Sequence, residues 1–236
     1  MKAFRTIIIS AILMALAALP AYSQNVMVPK GDFSLGAQFA HFKLNSDNSE
    51  LMLLINPVSA QGRISQIAPF FEYAYKDDCS FGARLNYLAA DAILDSITLD
   101  LLSEGLSFDI SDMNTHMRSF GASIFHRNYY ALDARSRIAV IAEESLTYVN
   151  GRTDYDYASP GQNYSASRKL NFAFSPGIVF YVMNNVSAFV TVSMANVSYN
   201  TVRCYTGGTQ SGDRSKFAAR FGVDLTGINF GVAFHF

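Results

Sequence analysis

The sequence predicts an all-β fold: an eight-stranded antiparallel up-and-down barrel that crosses a membrane, with ten strands as the alternative. Three observations predict it. Charged residues make up 16% of the chain, while Phe and Tyr number 19 and 13; a typical soluble domain is roughly 25% charged. After the first two dozen residues no apolar run reaches 18, so no segment can span a bilayer as a helix. Instead, segment after segment alternates large apolar residues with small or polar ones, the period-two signature of strands.

The N-terminus is expected to be removed. Lys2 and Arg5 precede an apolar run from Ile7 to Leu19, and small residues Ala21 and Ser23 follow it. A basic region, a short apolar region and small residues at a cleavage site make a secretory signal peptide over residues 1–23. The run is shorter than the roughly 20 residues of a spanning helix. The mature chain, residues 24–236, is then one domain's length. It lacks a Cys just after the apolar run, so no lipid anchor is expected. The net charge of −1 points to no nucleic-acid partner.

The strands follow in order. Gly31–Leu44 is the first, with Phe33, Leu35, Ala37 and Phe39 on one face. Asn45–Gly62 is a long loop containing Pro57. Arg63–Tyr75 is the second strand; Ile67, Phe71, Tyr73 and Tyr75 share a face with Pro69, opposite Gln66, Phe70 and Glu72. Proline cannot donate to a ladder, so Pro69 marks a bulge or a widened site. Lys76-Asp77-Asp78 is a tight turn. Cys79–Leu88 is the third strand. Ala89–Thr115 is the longest connection, with alternating stretches at Ile93–Leu101 and Leu106–Ile110 that could add a hairpin. His116–Arg127 is the fourth strand, Asn128–Arg137 a turn and Ile138–Val149 the fifth strand. Asn150–Ser167 is a loop rich in Tyr, Asp and Gly. Arg168–Val182 is the sixth strand, Met183-Asn184-Asn185 a turn, Val186–Tyr199 the seventh strand and Asn200–Asp213 a polar loop.

The eighth strand runs from Arg214 to Phe236. Phe217, Phe221 and Val223 have odd numbers, whereas Ile228, Phe230, Val232, Phe234 and Phe236 have even ones. The face therefore switches at Thr226-Gly227, as a bulge would make it do. A hairpin there would give nine strands, and single-chain bacterial barrels have even numbers.

Long and short connections alternate, as they do in barrels with long outer loops, short inner turns and both termini on the inner, periplasmic side. A soluble ligand-binding barrel would turn its apolar face inward and show charge outside. Here the face opposite the aromatics is mostly Ser, Gly, Ala, Asn and Gln, which suits a narrow lumen. Aromatic girdles then follow from strand direction. Tyr73, Tyr75, Phe81, Phe180, Phe234 and Phe236 lie near one rim; Tyr87, Tyr148 and Phe217 lie near the other. Cys79 and Cys204 fall at opposite ends, too far apart for a disulfide.

Two resemblances follow. The last residues, with Asn229, Gly231, Phe234 and Phe236 in place, resemble the C-terminal signal of bacterial outer-membrane barrels. That resemblance implies a partner during biogenesis, the barrel-assembly machinery. Pro69-Phe70-Phe71-Glu72-Tyr73, Asp77-Asp78-Cys79-Ser80-Phe81-Gly82 and Arg127-Asn128-Tyr129-Tyr130, together with Glu143, Pro176-Gly177 and Asn229-x-Gly231, are similar to motifs of small outer-membrane barrel domain proteins of Bacteroides-type bacteria. Asp78 stands where Asn is usual, and an extra Asn splits the third motif. The resemblance covers nearly all of the mature chain. It implies a barrel, an outer-membrane location and a lipid environment, and no established activity.

The candidate site is the lumen. Alternation turns Glu72, Arg84, Glu143, Arg220 and Asp224 inward, with Arg127 near the base. Eight strands leave an interior just wide enough for side chains, and buried charges must pair. A paired network would plug the barrel; the alternative is a narrow ion path. One of Glu143 and Glu144 must face lipid. A lipid-modifying enzyme could use His116, Ser119 and Asp112 near the outer rim, but no nucleophile motif or metal spacing supports one. No enzyme activity, cofactor or metal is therefore expected. The Tyr155-Asp156-Tyr157 loop could meet a surface partner. The barrel is expected to be a monomer.

Overall fold

The computed structural model describes residues 26–44, 60–94, 113–133, 135, 137–156 and 163–236. All of its regular structure is strand: β1 (Phe33–Leu44), β2 (Ala60–Lys76), β3 (Cys79–Leu94), β4 (Met113–Ala131), β5 (Ile138–Asp156), β6 (Tyr164–Met183), β7 (Val186–Thr206) and β8 (Thr209–His235). Each strand pairs antiparallel with the next, and β8 returns to β1. The fold is a closed eight-stranded barrel. The expected signal peptide, and the stretch 95–112 that could have added strands, lie outside the described residues.

Outside and inside separate by parity. Leu35, Phe71, Leu85, Ile124, Leu146 and Phe172 are about half exposed on the outer wall. Every aromatic assigned to the two girdles is also exposed. On the inside, Ser34, Gln38, Phe70, Glu72, Phe125, Arg127 and Glu143 are buried. Of the Glu143-Glu144 pair, Glu143 turns in and Glu144 out. His126 Nδ1 binds the Glu144 carboxylate at 3.0 Å, and Tyr75 binds His126 Nε2 at 3.0 Å. The outward carboxylate is thus partnered near the lower end of the barrel, where the short turns are.

Several strands run further than the apolar alternation indicated. β4 continues through Arg127 to Ala131, so the turn shrinks to 132–137. The expected loop Asn150–Ser167 is largely strand, because β5 reaches Asp156 and β6 begins at Tyr164. The expected loop Asn200–Asp213 is the end of a hairpin that turns at Gly207-Gly208, both with positive φ. Cys204 accordingly sits in β7, opposite Gly212; it and Cys79 are both free thiols. The cause is physical. Crossing a bilayer takes only about 9–11 residues per tilted strand. β6, β7 and β8 have 20, 21 and 27. Beyond an apolar band the outer face no longer needs apolar residues, so alternation fades while the ladder bonds continue.

Two irregularities were expected. β8 is one strand, and Val192 pairs with Ile228 while Ser193 pairs with Asp224. Residues 225–227 are therefore extra on β8, which is the bulge inferred at Thr226-Gly227. Pro69 causes no bulge. Ile67 pairs with Tyr87 and Phe70 with Arg84, so the register is unchanged across it and the ladder to β3 only skips a step. A missing N–H costs one ladder bond; it does not require an inserted residue.

Candidate functional site

The lower lumen is where buried chemistry gathers. Glu72, Arg84, Arg127 and Glu143 come from four successive strands, β2 to β5, each at an inward position. Arg127 stands directly across from Glu143, and Ser80 across from Arg127. All four charged residues are less than a tenth exposed. Arg84 Nη2 donates to both oxygens of Glu143 at 2.9 Å. Arg127 Nε donates to Glu143 at 2.7 Å, and Arg127 Nη1 to Glu72 at 2.8 Å. The Glu72 carboxylate also accepts from the Ser80 and Tyr129 hydroxyls. Two cations and two anions cancel, which is the condition under which buried charge is tolerated.

Aromatic rings complete the packing. The Arg127 guanidinium lies 4.5, 4.7 and 5.1 Å from the ring centres of Phe189, Phe125 and Phe70. Arg84 lies 4.6 Å from that of Phe125. Among the described residues, Arg127 Nη2 and Arg84 Nε find no hydrogen-bond partner, and ring faces meet these guanidinium groups instead. Three inward glycines make room for the rings. A Cβ at Gly36 would meet Phe70, one at Gly82 would meet Phe125 and one at Gly231 would meet Phe189. Each Phe therefore lies over a glycine of a neighbouring strand. Small polar residues do line much of the lumen, among them Ser34, Gln38, Ser80, Ser123, Ser187 and Thr191; around the charges, however, Phe70, Phe125 and Phe189 add dense apolar packing.

The base is closed from below. Met27 and Val28 are buried in the same cluster as Phe70, Ala74, Phe125 and Tyr129. Their backbone N–H groups donate to the Asp78 carboxylate at 2.7 and 3.0 Å, and Lys30 N donates to Asp77 at 2.8 Å. The Asp77-Asp78 turn thus anchors the segment before β1. Beside it, His235 bridges three strands, with Nε2 2.7 Å from Ser187 Oγ and Nδ1 2.9 Å from Ser34 Oγ. The space bounded by Glu72, Arg127, Tyr129, Ser187, Phe189 and His235 has no room for a water molecule.

The remaining expected site residues separate. Arg220 keeps an inward register opposite Asn196 but is exposed. Among the described residues it has no bond to the four-charge network. The Asp224 side chain lies outside the described residues; its backbone pairs with Ser193. Asn229 Nδ2 donates to Gly227 O at 3.1 Å, inside the bulge region of β8. Gly231 lies against Phe189. Phe234 and Phe236 face outward, and Phe236 stacks on Phe33 with ring centres 5.2 Å apart. Phe33 and Phe236 also exchange backbone bonds, so the chain's end clamps the closing seam. His116 and Ser119 cannot act together. His116 lies on the outer face, 2.9 Å from Asp91, whereas Ser119 is buried inside; Asp112 is outside the described residues. Among the described residues no cluster of three metal-ligating side chains occurs.

Sequence reasoning missed Ser80, Tyr129, Phe125 and Phe189. Two of these carried a usable signal. Phe125, Arg127 and Tyr129 share odd parity on one strand, so continuing the fourth strand past Arg127 would have put both aromatics beside the charge. The Phe–glycine pairings carried none, because they cross strands whose register only the closed fold sets.

No protein-family model matches the chain, and no curated protein sequence does either. Among solved structures it is similar to a major outer membrane protein from Thermus thermophilus, at 12% identity and a TM-score of 0.48, over 87% of this chain and 99% of that one. It is also similar to the outer membrane protein OprG from Pseudomonas aeruginosa, at 10% identity and a TM-score of 0.47, over 90% and 99%. A third is Neisserial surface protein A, at 16% identity and a TM-score of 0.38, over 88% and 98%.

Proposed function

We propose that this chain is an integral outer-membrane barrel with a sealed lumen, serving as a structural or surface-interaction protein rather than as a channel or enzyme. The observation that carries the reading is the pairing of an apolar outer wall with a neutral, fully packed lower lumen. An apolar wall about half exposed all round is costly in water and suited to lipid. A closed ring leaves no unpaired edge where it closes, as the bilayer core requires. Inside, both carboxylates and both guanidinium groups are engaged with one another, which supports a base without a mobile charge or a water path.

The first described residue, Val26, and the last, Phe236, lie at the end with the short turns, which we assign to the periplasm. The long hairpins β5–β6 and β7–β8 then stand outside the cell, where a rigid scaffold presents its variable tips. The motif resemblance to small Bacteroides-type barrels supports the location, and Asn229, Gly231, Phe234 and Phe236 are assigned as the segment read by the assembly machinery. The protein is taken as a monomer without cofactor.

Unheated and boiled samples of protein refolded into detergent or vesicles test the reading on a gel. The folded barrel is expected to migrate as a separate, boiling-sensitive band and to float with vesicles. A single band unaffected by boiling, together with protein left in the aqueous fraction, would overturn the membrane assignment.

A further inference from the structure

The outer wall is not uniformly bulky. Over β2 to β4 the outward positions Pro69, Ala83 and Ala122 are small, and larger outward residues stand around them, among them Leu85, Ile124 and Leu146. The result is an apolar groove of about 540 Å3. The strands that border it, β1 to β6, are all described at this height. Toward the lower end the wall turns polar. Tyr73, Phe81, His126, Glu144 and Phe174 form one outward rung. Ile124 and Leu146 pair with each other directly above His126 and Glu144, so the groove ends about 7 Å from a carboxylate. Glu144 is 36% exposed and, among the described residues, meets only His126, through one oxygen. A carboxylate only accepts, so His126 Nδ1 carries the proton in that bond. A nitrogen that donates there cannot also accept from Asn128 Nδ2, 3.4 Å away. The Cys79 thiol donates to Asn128 Oδ1 at 3.3 Å and orients the amide, whose Nδ2 keeps its protons. Neither Lys nor Arg occupies an outward position of β2–β6 within two residues of this rung.

We propose that this groove and its polar end bind a phospholipid with a primary-ammonium headgroup, of the phosphatidylethanolamine type. The inference rests on the membrane reading above and adds a lipid that the wall selects. An acyl chain lies in the groove, over Pro69, Ala83 and Ala122. The ammonium donates to the second oxygen of Glu144, and Asn128 Nδ2 donates to a phosphate oxygen. A carboxylate on a lipid-facing wall is costly without a cation, and His126 uses only part of its accepting capacity. An ammonium–carboxylate bond is among the strong ones, more so where water is scarce. A choline headgroup has the charge but no N–H to give. An anionic lipid brings no cation to Glu144. Tyr73, Tyr75 and Phe81 stand beside this end of the groove, and rings of this kind mark the boundary where headgroups lie.

The test uses the full-length barrel in a neutral detergent, with lipid retention read by native mass spectrometry. The probes are dioleoyl phosphatidylethanolamine, dioleoyl phosphatidylcholine and dioleoyl phosphatidylglycerol. The wild-type barrel is expected to retain phosphatidylethanolamine at least about tenfold better than either of the others. Glu144→Gln is expected to remove that preference while keeping the boiling-sensitive gel band. Ala122→Phe, which fills the groove, should lower retention of all three lipids without changing their order. Asp91→Asn, a carboxylate change higher on the outer wall, should leave the preference intact. Equal retention of phosphatidylethanolamine and phosphatidylcholine by the wild type, or a preference that survives Glu144→Gln or is lost equally with Asp91→Asn, would overturn the site. Phosphatidylglycerol retained as well as phosphatidylethanolamine would overturn the headgroup assignment, and full retention by Ala122→Phe would overturn the groove. A wild-type protein with no boiling-sensitive band would remove the membrane reading itself, a separate failure.

Discussion

The lower and upper halves of this barrel are built by different rules. Below, eight strands close a ring, four paired charges and three Phe rings pack together inside it, and the space beside them has no room for a water molecule. Above, β5 to β8 extend as long paired strands, the β1–β8 ladder has ended, and cations occupy inward positions. The lower half is specified by mutual dependence, since each charge is tolerable only because the others are present. The upper half is specified by backbone pairing, and its ion pairs among the described residues are exposed. Substitutions should therefore be severe below and mild above.

The largest effect is expected at Arg127, which touches both carboxylates and three rings. Arg127→Ala leaves Glu72 short of its cation and Glu143 with Arg84 alone. Removing one partner from a buried network costs about 3–5 kcal/mol. The folded band should be lost or should melt at much lower urea in vesicles. A band with wild-type stability would show that the network does not hold the lower half together.

Next come the glycines under the rings. Gly82→Val would drive a side chain into the Phe125 ring and toward the Phe71 carbonyl. Overpacking of this kind costs about 1–3 kcal/mol. A urea midpoint that does not move would place Phe125 elsewhere.

Tyr129→Phe keeps the ring and removes one donor to Glu72, which still has Arg127 and Ser80. The expected loss is about 1 kcal/mol. A loss as large as that of Arg127→Ala would make the hydroxyl, not the guanidinium, the main partner of Glu72.

In the upper half, Arg63 and His116 meet Asp91 on the outer face in exposed contacts. Arg63→Ala should change stability by less than about 1 kcal/mol. A larger loss would erase the contrast between the halves.

The same contrast explains what could be read from residues alone. The barrel, the strand order and the inward parity of Glu72, Arg84 and Glu143 followed from alternation, because the outer wall needs apolar residues at every second position. The upper extensions did not, since Tyr164–Ser167 and Asn200–Thr206 lie where nothing imposes that pattern, yet their backbone remains paired. Tyr129 was hidden by a turn signal: Asn128 and the two tyrosines after it suggested that the strand had ended at Arg127. The seam was hidden for another reason. Its length depends on the stagger between β1 and β8, a property of ring closure that neither strand states locally.

The central claim is that the lower lumen is sealed, and conductance tests it most directly. Wild-type protein inserted into a planar bilayer is expected to show no steady current steps, whereas Arg84→Glu, which places three carboxylates around Arg127, should disturb the seal or the fold. Discrete, reproducible steps from the wild-type barrel, altered in size by Arg84→Glu, would contradict the account and make the paired charges the lining of a pore.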